Sequence, residues 1–177
     1  MKEPVVGTNE ADALSIAAAT ESDLAAVAEL AGAIWRRHYP GIITPEQIDY
    51  MLALGYSHAA LSRFIEDEGA GLDLARFGER LAGFSAYYRT DGGHELKLDK
   101  LYVLQEFQGR GVGSRLIAST EAAARAQRCS ALILNVNKNN AQAIRAYEKN
   151  GFVIREAVVV DIGGGFVMDD YVMAKPL

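Results

Sequence analysis

The chain has 177 residues, half of them apolar and 23% charged, proportions that exclude a disordered tail, a collagen-like repeat and a disulfide scaffold. A net charge of −5 speaks against a general nucleic-acid binder, and the lone Cys129 has no partner for an internal disulfide, which fits a reducing compartment. No apolar run approaches the ~20 residues of a membrane span, and the acidic opening MKEPVVGTNEAD does not read as a secretory signal, so the expectation is one cytoplasmic domain over residues 1–177, without nucleic-acid or membrane partners.

Residues 1–12 read as a loose lead-in, and 13–18 as a short strand. Thr20 opens TESD, a helix-start signature, and Leu24, Val27, Leu30, Ala31 and Ile34 follow at helical spacing until Pro40-Gly41. Thr44-Pro45-Glu46-Gln47 starts a second helix, with Thr as cap and Pro in the first turn, that reaches about Tyr56. A third helix spans 57–68. Strands are then expected over 72–77, 81–89 and 95–104, joined by glycine-bearing turns. A glycine run at 109–113 leads into a helix over 114–128. A strand over 131–136 and a helix over 141–149 follow, and the latter ends at Asn150-Gly151. Two strands, 152–161 and 166–174, flank Gly163-Gly164-Gly165. This order of elements indicates an α+β fold rather than a doubly wound sheet.

The run Gln108-Gly109-Arg110-Gly111-Val112-Gly113 sits between a strand and a helix. Glycines let backbone N–H groups approach a ligand, and the first helical turn carries unpaired N–H groups and a partial positive charge. With Arg110 and Arg115 beside it, the turn suits a diphosphate. A Walker loop would need Gly-Lys-Ser/Thr where the chain has Gly113-Ser114-Arg115. A dinucleotide site would need a glycine at Ser114 and an acidic residue on the next strand, and 132–137 has none.

In the strand before this turn the aliphatic positions Leu96, Leu98, Leu101 and Val103 step by two, three and two. A regular strand keeps a period of two, so the slip predicts a β-bulge near Asp99-Lys100. Further on, helical spacing from Asn140 places Ala143 and Tyr147 on one face.

Gln108-x-x-Gly111-x-Gly113, followed by Asn137-x-x-Asn140-x-x-Ala143-x-x-x-Tyr147-x-x-x-Gly151-Phe152, closely resembles the GNAT superfamily of acyl-CoA-dependent N-acetyltransferases. The likeness covers residues 13–175. GIITPEQIDYML, ELKLDKLYV and DDYVM are most similar to its polyamine and small-amine branch. It implies a mixed, mostly antiparallel twisted sheet of about six or seven strands flanked by helices, whose fourth and fifth strands splay apart. Acetyl-CoA is the implied cosubstrate, with no metal. By motif position, the main chain at Leu101, Tyr102 and Val103 would pair with the pantetheine amides. Gln108, Gly109, Arg110, Gly111, Val112, Gly113 and Ser114 would hold the pyrophosphate. Asn140 would hydrogen-bond the cofactor, Ala143 would leave it room, and Tyr147 would face its sulfur.

The implied reaction is direct attack by a primary amine on the thioester. An alkyl ammonium with a lysine-like pKa of about 10.4 must lose a proton first, at a cost of about 4.6 kcal/mol at pH 7. Glu95 and Asp99 are the candidate bases, a backbone N–H near Val103 freed by the bulge is the candidate oxyanion donor, and Tyr147 is the candidate proton or hydrogen-bond donor to the thiolate. Cys129 reads as a packing residue, and His38, His58 and His94 lack metal-ligand spacing. Trp35, His38 and Tyr39 are the candidate walls of an amine pocket, since aromatic faces attract cations, and Asp169, Asp170 and Tyr171 are placed to guide a polycation. The expected partner is a small-molecule amine, polyamine-like or amino-acid-like, and the chain is expected to be a monomer or homodimer. The alternatives are acetylation of a protein lysine or N-terminus, and a non-catalytic acyl-CoA-binding regulatory module.

Overall fold

In the computed structural model, which describes residues 13–177, the β-branched and aromatic runs form strands β1 (Leu14–Ala18), β2 (Gly71–Phe77), β3 (Arg80–Arg89), β4 (Glu95–Val103), β5 (Ala131–Asn137), β6 (Val153–Gly163) and β7 (Phe166–Pro176). The helices are α1 (Leu24–His38), α2 (Pro45–Gly55), α3 (His58–Glu66), α4 (Val112–Ala126) and α5 (Ala141–Lys149). The lead-in at 1–12 lies outside the described residues. Among these residues the strands make one sheet in the order β1-β2-β3-β4-β5-β7-β6, antiparallel except for β4 and β5. That is the mixed, mostly antiparallel α+β architecture expected. No helix among the described residues is long and apolar enough to cross a membrane.

Local chemistry sets the helix starts. Thr20 N–H donates to Asp23 Oδ2 (2.8 Å) and tightens the short 3-10 turn that leads into α1. Thr44 Oγ1 accepts from Gln47 N–H (3.2 Å) and caps α2. The apolar stripe of α1 packs with Ile48, Tyr56 and Leu61 against Leu72, Leu74 and Phe84 on one face of the sheet. On the other face α4 places Ile117 and Ala124 against Leu96, Leu98, Leu132 and Leu134, and α5 adds Ala143, Ile144 and Tyr147.

Several boundaries differ from expectation. Helix α4 begins at Val112, inside the glycine run, because Gly111 at φ 78° serves as its cap and Val112 is buried with Phe107 and Leu116. It ends at Ala126, where Arg128 turns left-handed (φ 59°) and Cys129 N–H bonds back to Ala124 O (2.9 Å). The closing strands are also longer than expected, reaching Gly163 and Pro176.

Strands β4 and β5 pair only from Glu95↔Ala131 to Lys97↔Ile133. Past that point β4 continues along β3 as far as Val103↔Gly83, and β5 continues along β7 as far as Asn137↔Asp170. The register of β3 against β4 jumps from Ala86↔Lys100 to Tyr87↔Leu98, so Asp99 is the extra residue of a bulge, as the two-three-two spacing predicts. A bulged strand bends, and β4 leaves β5 where the bulge lies.

Candidate functional site

The opening between β4 and β5 is a cavity of about 750 Å³ that passes from the α1 face of the sheet to the α4 and α5 face. Its first lip is β4. Leu104 N–H donates to Ala82 O on β3 (2.9 Å), and antiparallel residues alternate in the direction of their backbone groups. The N–H and C=O of Leu101 and Val103 therefore face the opening, while those of Tyr102 face Phe84 on β3. This corrects the expectation for Tyr102, whose main chain is committed to the sheet; its ring lies on the α1 side. The Val103 N–H is available because strand alternation beside an open edge exposes it, in the phase that the bulge at Asp99 sets four residues earlier.

The glycine run forms the end of the cavity next to α4. Gln108, Gly109, Gly111, Val112, Gly113 and Ser114 all line it. A Cβ at Gly109 or Gly111 would meet nothing within 4 Å, so the space above the first helical turn is open. Gly111 offers no side chain to cap those N–H groups, which is how a helix start stays available to an anion. The Gln108 side chain donates to Val103 O (3.2 Å) and accepts from Gln142 (3.2 Å), tying the turn to both β4 and α5. Arg110 departs from expectation. Its guanidinium lies over the rings of Phe77 (4.3 Å) and Phe107 (5.6 Å), outside the cavity lining, because that stacked aromatic pair offers a cation a better seat.

The second lip is β5 and the start of α5. Asn140 is buried, and its Oδ1 caps α5 by accepting from Ala143 N–H (3.2 Å). The same oxygen lies 3.2 Å from His38 Nε2, so a side chain at the end of α1 spans the opening to α5. Ala143, Ala146 and Tyr147 line the cavity on this side. Tyr147 rests edge-on against Phe152, and burial holds its phenol well above the ordinary value near 10.

Of the two candidate bases, only Asp99 lies on the cavity, where it pairs with Lys100 (2.8 Å). Glu95 sits at the closed end of the β4–β5 pair, bound to Arg155 (2.6 Å) and outside the lining. The bulge breaks the common phase that would have put the two carboxylates on one face.

The α1 side of the cavity is aromatic. Trp35, at 3% exposure, lies beside Tyr39 (4.3 Å between ring centres) and donates through Nε1 to Tyr56 Oη (3.1 Å). The hydroxyls of Tyr39 and Tyr102 meet at 3.4 Å. Burial raises the pKa of all three tyrosines. Trp35, His38 and Tyr39 thus come together on the cavity wall, with Met51 and Leu54 from α2 beside them. The β6–β7 hairpin completes the enclosure, since Gln47 Nε2 donates to Val167 O (3.0 Å) and Tyr50 Oη donates to Ile162 O (2.7 Å). Met168 and Ile162 of this hairpin line the cavity.

Lys97, Asn135 and Asp170 also line the cavity and were not among the expected site residues, although Asp170 stood out as a surface guide for cations. It is instead 4% exposed, and its Oδ1 has no hydrogen-bond partner.

The family model described as acetyltransferase (GNAT) family matches residues 27–152. An uncharacterized N-acetyltransferase of Mycobacterium tuberculosis is 29% identical over 138 residues, which are 78% of this chain and 87% of that protein. A spermine/spermidine N(1)-acetyltransferase of Bacillus subtilis is 30% identical over 79 residues, 41% of this chain and 52% of its own. Among solved structures, the PaiA N-acetyltransferase from Thermoplasma acidophilum in complex with coenzyme A has the same fold, with a TM-score of 0.79 at 23% identity over 93% of this chain and 99% of that one.

Proposed function

Because the chain belongs to the acetyltransferase (GNAT) family, and is with it an acyl-CoA-dependent N-acetyltransferase, we propose that it acetylates a primary amine of a small cationic molecule, polyamine-like or amino-acid-like. One observation carries this reading: the acceptor side of the opening is walled by α1, by α2 and by a β6–β7 hairpin that Gln47 and Tyr50 hold against α2. That enclosure suits a small guest with a cationic group, which the Trp35 and Tyr39 faces attract. The partial likeness to the Bacillus subtilis spermine/spermidine enzyme points the same way.

The residues present fit coenzyme A. Leu101 and Val103 offer outward-facing main-chain groups on which an amide chain can lie like an added strand. The open glycine turn at 109–114 takes the pyrophosphate on backbone N–H groups, with the Arg110 side chain turned away. Asn140 sets the start of α5, and Ala143 keeps that helix close without filling the space. When bound, acetyl-CoA supplies an activated acetyl thioester.

Holding the amine and thioester together between two fixed lips supplies much of the rate. The Val103 N–H faces the opening and can stabilise charge on the carbonyl oxygen. Tyr147, with its pKa raised, keeps its proton at neutral pH and does not surrender it to a thiolate whose thiol has a pKa of about 8.5. Its role is to donate a hydrogen bond to the developing negative sulfur.

The test is thiol release from acetyl-CoA with a panel of spermidine, free amino acids and short peptides. Release with the small amines is the expected result. Preferential release with peptides would move the acceptor to a protein, and saturable coenzyme A binding without release for any acceptor would leave a binding module.

A further inference from the structure

Asp170 is a buried carboxyl group on the cavity to which the arrangement above gives no role. It pairs in register with Asn137, the last residue of β5, and so lies just behind the second lip of the opening, where it lines the cavity. Alternation along β7 puts Tyr171 and Met173 on the α4 side, which turns Asp170 to the α1 side, where the aromatic wall lies. A carboxylate that is 4% exposed with an oxygen lacking any partner is costly to keep unless something else satisfies it.

We propose that Asp170 binds the ammonium group of the acceptor and takes its first proton. The proposal rests on the acetyltransferase reading and adds to it both the base and the positive charge required of the substrate. One N–H proton passes to the Asp170 carboxylate, and the nitrogen lone pair forms the N–C bond to the acetyl carbon. As the C–S bond breaks, its electron pair leaves on sulfur. The second nitrogen proton ends on that sulfur, with Tyr147 as hydrogen-bond donor beside it. Asp170 then returns its proton to water, so one proton is released per acetyl group transferred.

The charged surroundings suit this role. Burial raises the Asp170 pKa, with Asp169 beside it on β7 acting in the same direction, while the Asn135 side chain on β5, as hydrogen-bond partner, and the charges of Lys97 on β4 and Lys138 after β5 oppose it. Lys138 is held by Asp169, and Tyr39 faces Asp170 from α1 as a neutral phenol. A carboxyl raised toward the working pH is a better proton acceptor than an ordinary aspartate.

The experiment measures kcat/KM against pH with spermidine and acetyl-CoA for the unaltered protein, Asp170→Asn and Lys97→Gln, with coenzyme A binding followed by calorimetry. Asp170→Asn should lower kcat/KM by ~100-fold or more at pH 7 and remove the inflection of the acidic limb, leaving a rise that runs unbroken toward the amine's own pKa of about 10.4, while coenzyme A affinity stays within about threefold. Lys97→Gln removes a charge that holds the carboxyl down, so its acidic limb should move to higher pH; this second variant carries the test if Asp170→Asn does not fold. An inflection of the acidic limb that keeps its position in Asp170→Asn, or that stays in place in Lys97→Gln, overturns the assignment. If the unaltered protein releases no thiol with any amine, the acetyltransferase reading itself fails, an outcome distinct from either variant result.

Discussion

Gly111 and Gly113 lie two residues apart in one turn, yet their replacement by alanine should change stability in opposite directions. Gly111 caps α4 at φ 78°, where an L side chain costs ~1–2 kcal/mol, although its Cβ would meet open space. Gly113 lies in the first turn of α4 with ordinary helical geometry, and its Cβ would meet only Val103 Cγ2 at 3.9 Å. Alanine there gains up to ~1 kcal/mol in helix propensity. For a chain of this size each kcal/mol moves Tm by roughly 2–4 °C. Gly111→Ala should therefore melt about 2–8 °C lower than the unaltered protein, and Gly113→Ala no lower than it. Both residues line the opening beside the space assigned to the pyrophosphate, so both variants should bind coenzyme A at least ~10-fold more weakly by calorimetry. Unchanged coenzyme A affinity in both would mean that the turn does not hold the pyrophosphate. A Gly113→Ala variant that melts lower than Gly111→Ala would contradict the backbone argument.

Tyr147→Phe should lower kcat by ~100-fold while coenzyme A affinity stays within about threefold, because the lost hydroxyl acts on a charge that develops only during reaction; equal turnover at saturating substrates would remove Tyr147 from the chemistry. Asp23→Asn should destabilise by ~1 kcal/mol at pH 7 through the loss of its bonds to Thr20 and Arg76. Those bonds hold the Asp23 pKa below its ordinary 3.8, so the contribution is present above that pH and is lost as pH falls through the folded value. Urea melts of both proteins should therefore converge at the acid end, and a gap that widens there would refute the sign. Arg128→Gly should raise stability by ~0.5 kcal/mol, since relief of the left-handed φ of 59° slightly exceeds the extra entropy glycine has in the unfolded chain; a lower Tm would show that Arg128 makes compensating interactions.

Features that act over a few residues were legible in the sequence. The Thr20 and Thr44 starts, the Gly151 stop and the pairing of the glycine turn with Asn140, Ala143 and Tyr147 are all short-range patterns, and each lies where it was expected. Features that depend on partners far along the chain were not. Arg110 is drawn away from the cavity by Phe77, a strand end thirty-three positions earlier, and no local pattern records that contact. Glu95 and Asp99 looked equivalent because their spacing matches the strand period, but Asp99 is itself the bulged residue. Asp170 was hidden by its neighbour. Asp169-Asp170 reads as a solvated acidic pair, yet strand alternation exposes the first and buries the second. The parity of β7 could not be read because both of its faces meet apolar partners, Val172 on one and Met173 on the other.

The bulge at Asp99 reconciles two demands on β4 that a regular strand could not meet together. Leu96 and Leu98 must face α4 where β4 is still paired with β5, and Leu101 and Val103 must face the same side where it is not. A strand of strict period two that kept the first pair on that face would turn Leu101 and Val103 to the other. It would also point their N–H and C=O groups at β3 instead of at the opening. The inserted residue resets the phase once, so the apolar face stays continuous while the backbone groups beside the opening change direction. The same insertion bends the strand away from β5 and makes the opening itself. Packing and site geometry are thus fixed by one residue, which is why the irregular two-three-two spacing of four aliphatic side chains already contained the position of the cavity.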